Sequence, residues 1–198
     1  MDKPQLTFWF EFASTYSYLS AMRVQEAADY AGVDVLWQPF LLGPIFGAQG
    51  WTTSPFNVYP RKGAYMWRDM ARLAAERGLE FRQPEVFPQN GILAARVTLA
   101  LRAAGHAVGP FVCAVYTRQF VQGQVISDPD TVTAALSDAG FGAEWLDAAR
   151  DPEIKQALFD AGAEADRLQL FGAPSFSVGD EIFWGDDRLE HALRFARS

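Results

Sequence analysis

One cysteine in 198 residues, Cys113, allows neither an internal disulfide nor a dithiol couple, so thiol–disulfide exchange by the chain's own side chains is excluded. Its neighbours Phe111, Val112 and Val115 are apolar, which suits a buried, unreactive thiol. Histidine is nearly as scarce. His106 and His191 are the only two, and neither has another His, Cys or carboxylate at ligand spacing, so no metal site is expected. Nowhere do about 18 apolar residues follow one another, and the opening MDKPQLTF has no apolar core of a signal peptide. A soluble, cytoplasmic protein without a membrane partner is expected. Basic charge is also in short supply. A net charge of −7 argues against a general nucleic-acid binder, which needs a basic face. An anionic ligand would have to be met by basic residues placed locally.

What is present suffices for a substantial core, since 49% of the residues are hydrophobic. The chain is organised around residues 8–20, FWFEFASTYSYLS. Leu6, Phe8 and Phe10 alternate with Thr7, Trp9 and Glu11, as in a buried strand. From Thr15 the spacing is helical through Tyr18, Leu19, Met22, Ala27 and Tyr30, so Ser14 stands where a strand hands over to a helix. Serine is a favoured N-cap, and the first N–H groups of a helix also stabilise an anion.

After Gly32, Val33, Val35 and Trp37 alternate as a second strand, and the β-α-β order implies a parallel pair. Residues 41–60 are rich in Gly, Pro and aromatics without a stable period and read as a long, functional loop. A helical block follows. Its punctuation is a helix over 63–77 stopped by Gly78, one capped by Asn90 and ending at Gly105, one opened by Pro110, and two opened by Asp128-Pro129 and Asp151-Pro152. Strand patterns return at 175–178 and 181–184 around Gly179-Asp180, a hairpin signal, and a final helix carries Leu189, Leu193 and Phe195. The order is that of a thioredoxin-like α/β fold with an all-helical insertion: residues 1–60 and 170–198 as one domain, 61–169 as the other.

In that fold Ser14-Thr15-Tyr16-Ser17 occupies the place of Cys-x-x-Cys. With Tyr18-Leu19 it resembles the opening of the first helix in bacterial 2-hydroxychromene-2-carboxylate isomerases and kappa-class glutathione transferases, with Thr15 in place of the family's proline. The insertion over the active corner is similar to that of the DsbA-like superfamily. The resemblance implies glutathione as cofactor, a small aromatic or unsaturated-ketone substrate, and a homodimer. It makes Ser14 the catalytic hydroxyl beside the glutathione sulfur. In Gly172-Ala173-Pro174-Ser175 it implies a cis Pro174 and an Ala173 backbone that pairs with the cysteinyl moiety. The motif FWGDDRL assigns the γ-glutamyl end to Asp186 and Asp187, one of which could equally cap the last helix with Glu190. Pro60-Arg61-Lys62-Gly63-Ala64-Tyr65 assigns the glycyl carboxylate to Lys62, and Asn57 is a candidate for the family asparagine, since Gly50-Trp51 stands where the Gly-Asn pair belongs. Tyr16, Trp51, Phe56, Trp67 and Asn90 are the expected substrate pocket.

The implied reaction interconverts 2-hydroxychromene-2-carboxylate and trans-o-hydroxybenzylidenepyruvate in bacterial degradation of naphthalene-type aromatics. Glutathione thiolate adds, the ring opens, the chain rotates about a temporarily single bond, and thiolate leaves. A kappa-like transferase, in which the thiolate stays, is the alternative. From another class comes a non-catalytic glutathione- or peptide-binding protein on a disabled oxidoreductase scaffold.

Overall fold

The computed structural model describes residues 3–198; Met1 and Asp2, with which the N-terminal stretch and the first expected domain begin, lie outside them. The N-terminal alternation forms β1 (Gln5–Phe10), with Leu6, Phe8 and Phe10 on one face and Trp9 on the other. There follow α1 (Thr15–Ala21), α2 (Val24–Ala31) and β2 (Asp34–Pro39), which pairs with β1 in parallel, Gln5 opposite Asp34 and Phe10 opposite Pro39. Near the other end, β3 (Ser175–Val178) and β4 (Glu181–Trp184) form the expected hairpin, and Gly179 takes the left-handed φ of 57° that its turn requires. β3 lies antiparallel to β1, so the sheet order is β2-β1-β3-β4.

Between β2 and β3 the chain is helical: α3 (Leu42–Ala48), α4 (Pro55–Val58), α5 (Pro60–Glu76), α6 (Ile92–Ala103), α7 (Gly109–Phe120), α8 (Pro129–Asp138), α9 (Trp145–Ala148) and α10 (Pro152–Arg167). A 3-10 turn, Asp186–Arg188, leads from β4 into α11 (Leu189–Ala196). The Asp-Pro pairs open helices as expected, Asp128 accepting from the Asp130 N–H at 3.0 Å and Asp151 from the Glu153 N–H at 2.8 Å.

Three local expectations are corrected. Residues 41–60 are no structureless loop but carry α3 and α4. There, proline at helix starts supplies the helical φ without any apolar periodicity, with Ser54 accepting from the Phe56 N–H at 3.3 Å and Pro60 opening α5 three residues earlier than expected. The helix expected through Tyr30 is two, because the chain leaves helical geometry at Arg23 (φ −136°), whose guanidinium reaches Asp186 and Glu190. Finally, Asp187 and Glu190 form no capping box: neither the 3-10 turn nor α11 has a side-chain N-cap bond.

One apolar core joins sheet and helices. Leu6, Phe8, Phe10 and Phe176 are continuous with Phe111, Val115 and Tyr116 of α7 and Leu136 of α8. Phe8 stacks between Phe10 and Phe176 at 5.2 and 5.5 Å and meets the edge of Trp37 at 5.2 Å, so truncating it to alanine should cost about 3–5 kcal/mol. A smaller cluster of Trp9, Phe40, Leu42, Ala165 and Leu170 covers the other face of the sheet. The sheet is thereby held rigid on both faces, and the C-terminal tip of β1 delivers Ser14 to a fixed place.

Candidate active site

Ser14 is the N-cap of α1, in extended geometry (φ −80°, ψ 119°), and its Oγ accepts from the Ser17 N–H at 3.2 Å. The same hydroxyl donates to the Ala173 carbonyl at 2.8 Å, across 159 residues of sequence. The Ala173–Pro174 peptide is cis, as the resemblance implied. Pro174 is anchored from behind, its carbonyl accepting from the Gly185 N–H at 3.0 Å. Gly172 lies so close to the Trp184 indole that a Cβ would stand 2.4 Å from its Nε1. The Ala173 N–H has no acceptor among the described residues, and both Ser14 and Ala173 are partly exposed. The corner therefore offers an unpaired N–H, a carbonyl held only by a rotatable hydroxyl, and that hydroxyl itself.

α4 and α5 pack over this corner. Thr15 is buried and its hydroxyl points to the Met66 sulfur at 3.2 Å, which seats α5 on α1. Gly63 allows the approach of α4, since a Cβ there would stand 2.2 Å from the Phe56 carbonyl oxygen. Phe56 lies 6.5 Å from the Tyr16 ring, and the Lys62 ammonium sits over Phe56 at 5.6 Å, so these three expected residues do come together. Tyr16 donates to Asp69 at 3.0 Å, and burial together with that carboxylate pushes its phenol up and keeps it protonated. Asn57 is exposed, its Nδ2 bonded to Thr53 Oγ1 and to the Phe87 carbonyl, both at 3.1 Å, which leaves its Oδ1 open. Trp51 packs between Phe46 and Tyr59 at 5.7 and 6.2 Å. Trp67 is engaged elsewhere, against Phe87 at 4.8 Å and Phe81 at 6.3 Å. Asn90 is exposed and accepts from the Ile92 N–H at 2.9 Å, but the N-cap of α6 is Gly91, so the cap expected of Asn90 is not formed: the residue stands one position before it, because Gly91 already carries the non-helical turn into α6.

The two aspartates are not equivalent. Asp186 is buried, accepts from Ser20 Oγ at 2.8 Å, and is paired with Arg77 and with Arg23, whose Nε is 3.5 Å away. Its carbonyl accepts from Arg23 Nη2 at 2.6 Å. Asp187 is exposed, beside Arg188 at 3.1 Å. Sequence reasoning assigned both to the γ-glutamyl end without separating them, because the two arginines that draw Asp186 inward lie far away in the chain.

Glu11 was not singled out from the sequence, yet it is three residues from Ser14. Burial pushes its carboxyl up to about 7, offset in part by the backbone of Leu42. Its carbonyl accepts from the Ser14 N–H at 2.9 Å and from Tyr116 Oη at 2.8 Å, which ties β1 to α7 below the corner. A carboxylate among Phe10, Phe12 and Ala13 was the available signal. A second cis peptide, Phe87–Pro88, had no signature in the residues around it.

Residues 5–195 match the family model of the DSBA-like thioredoxin domain. A 2-hydroxychromene-2-carboxylate isomerase of Sphingobium xenophagum is 30% identical over 188 residues, which span 93% of this chain and 94% of that protein. A solved structure of a 2-hydroxychromene-2-carboxylate isomerase aligns with a TM-score of 0.80 at 22% identity, covering 98% of this chain and 94% of the other. The cytosolic disulfide reductase DsbM of Pseudomonas aeruginosa, solved with GSH, shares the fold at a TM-score of 0.69 and 15% identity, over 98% of this chain and 96% of its own. With Ser-x-x-Ser at the helix start, a cis-proline facing it and similarity along nearly the whole length, the chain belongs to the DSBA-like thioredoxin family and, within it, to the 2-hydroxychromene-2-carboxylate isomerases.

Proposed function

We propose that the protein is a glutathione-dependent isomerase that interconverts 2-hydroxychromene-2-carboxylate and trans-o-hydroxybenzylidenepyruvate in bacterial degradation of naphthalene-type aromatics. The observation that carries this reading is the contact of Ser14 with Ala173 beside an unpaired N–H. An extended peptide can pair with both polar groups of Ala173, as in strand addition. The residues present suit glutathione in charge as well. Asp187 is an exposed carboxylate for the γ-glutamyl ammonium, and Lys62 an exposed ammonium for the glycyl carboxylate. The open Oδ1 of Asn57 could accept from the same ligand. Asp186, with both oxygens engaged, serves by holding the turn that presents Asp187.

When bound, glutathione supplies a thiolate that adds to the conjugated substrate and is released again. The chain's own part follows from the Ser14 hydroxyl. A peptide N–H that takes over the Ala173 carbonyl releases the Ser14 hydrogen to turn toward sulfur, while Oγ keeps accepting the Ser17 N–H. A donor aimed at the anion lowers a thiol's pKa from its usual value of roughly 8.5. Tyr16 and Phe56 are the aromatic wall for a flat substrate, and Trp51 would extend it from its place between Phe46 and Tyr59. Trp67, packed against Phe87 and Phe81, and Asn90, bonded to the Ile92 N–H, make no ring contact with that wall among the described residues and are left out of it.

An ultraviolet assay of the interconversion with and without glutathione tests the reading. Turnover that requires glutathione and leaves it unconsumed supports an isomerase. Consumption of glutathione points to the transferase, and absence of turnover with tight binding to the non-catalytic protein. A cytoplasmic homodimer belongs to the same proposal and is checked by light scattering.

A further inference from the structure

A second concave region lies away from the Ser14 corner and shares no residue with it. It is a groove of about 990 Å³ between α2, β2 and the connection from α6 to α7, at the upper end of the range for small-molecule sites. Val35, Trp37, Val108, Pro110 and Cys113 make its walls mostly apolar. Cys113 adds no reactivity, since burial pushes its thiol up to about 11 and its Sγ donates to the Ala21 carbonyl at 3.4 Å.

One charge stands against that apolar wall. Arg102, half-buried on α6, donates from Nη1 to the Trp37 carbonyl at 2.8 Å and to Gln38 Oε1 at 2.9 Å. Neither contact neutralises it. Among the described residues no carboxylate lies within ion-pair distance of Arg102, and its Nη2 and Nε have no acceptor. Burial alone lowers its basicity, the mark of a cation whose desolvation is uncompensated. The carboxylates on the same groove, Glu26 and Asp29, are exposed on α2 at its mouth, where water screens them, and Asp29 already accepts from Gln25 Nε2 at 3.0 Å.

We propose that this groove binds a small apolar carboxylate, an aryl acid, whose ring lies along Trp37 and Val108 and whose carboxylate is held by the free nitrogens of Arg102. Arginine offers the paired donors that match a carboxylate, and the apolar walls select for the ring.

The test is calorimetric titration of the full chain with 2-naphthoate and its neutral counterpart 2-naphthamide. Naphthoate should bind at least ten-fold more tightly than the amide, and Arg102→Gln should remove that preference. Ala107 is exposed on the groove's lip, so Ala107→Glu and Ala107→Lys test the same charge dependence without touching the core. The glutamate variant should bind naphthoate several-fold more weakly and the lysine variant at least as well as wild type. If Arg102→Gln does not fold, that pair decides. Equal binding of acid and amide, indifference to both positions, or no binding at millimolar ligand overturns the proposal. So does binding that Phe56→Ala abolishes, which would place the acid at the Ser14 corner.

Discussion

α1 presents a serine hydroxyl at each end, and the two have opposite surroundings. Ser14, at the N-terminus, is partly exposed and meets only neutral partners, the Ala173 carbonyl and the Ser17 N–H. Ser20, about one and two-thirds turns further on, is fully buried and donates to Asp186, which Arg23 and Arg77 also hold. A hydroxyl between neutral, half-exposed groups can turn to a new acceptor at little cost. One bonded to a buried charge cannot, because leaving a charged group unsatisfied costs more than any ordinary hydrogen bond returns. The two ends thus divide the work, one holding the fold and the other leaving a donor available.

Substitutions can break this contrast at either end, and the largest effect is expected at the locked one. Asp186→Ala strands Arg23 and Arg77 and should cost about 3–5 kcal/mol by chemical denaturation. A loss below 1 kcal/mol would show that the network is not rigid.

Glu11→Gln probes the floor beneath Ser14 through pH. The folded carboxyl titrates at about 7, above its usual value of 4.5. Between these values the folded protein keeps a proton that the unfolded chain has released, so stability falls as pH rises through that window, by up to about 3 kcal/mol. The glutamine variant should show a flatter profile and gain on wild type from pH 5 to pH 8. Parallel melting curves across that range would refute the assignment of a carboxyl raised by desolvation.

Ser14→Ala should slow turnover about ten- to a hundred-fold, the worth of one donor to a charged acceptor. It should also lose about 1 kcal/mol of stability, since the same oxygen caps α1. The stability loss alone therefore decides nothing. The discriminating measurement is thiolate absorbance of bound glutathione, which should appear only at higher pH in the variant. The smallest effect is expected from Asp187→Asn, exposed and paired only with Arg188: unchanged melting, with weaker glutathione binding by calorimetry.

The corner of the fold was legible because its signals are local. Alternating Leu6, Phe8 and Phe10 followed by the helical spacing from Thr15 located the strand-to-helix turn, and Ser14 was marked there both as a cap and as the site of the expected chemistry. Gly179-Asp180 marked the hairpin, and the Asp-Pro pairs marked α8 and α10. Pro174 was marked by its place before a strand, with the cis bond implied by family resemblance alone. Less legible were α3 and α4, where Gly and Pro spoke against helix but proline at a first turn favours one.

The sequence by itself determined the four strands, the helices opened by Asp-Pro pairs, the order in which they follow, the absence of dithiol chemistry and the serine at the strand-to-helix turn, because backbone geometry and capping depend on residues a few positions apart. Only the tertiary structure decided that Asp186 is buried between two arginines while Asp187 is exposed beside Arg188, that desolvation raises the Glu11 carboxyl, and that Arg102 faces an apolar groove uncompensated. The partners concerned lie far apart in the chain, Ser20 and Arg77 standing 166 and 109 residues from Asp186. Which charges meet, and which are left without a partner, follows from packing across the whole core, to which no short stretch of residues is a guide.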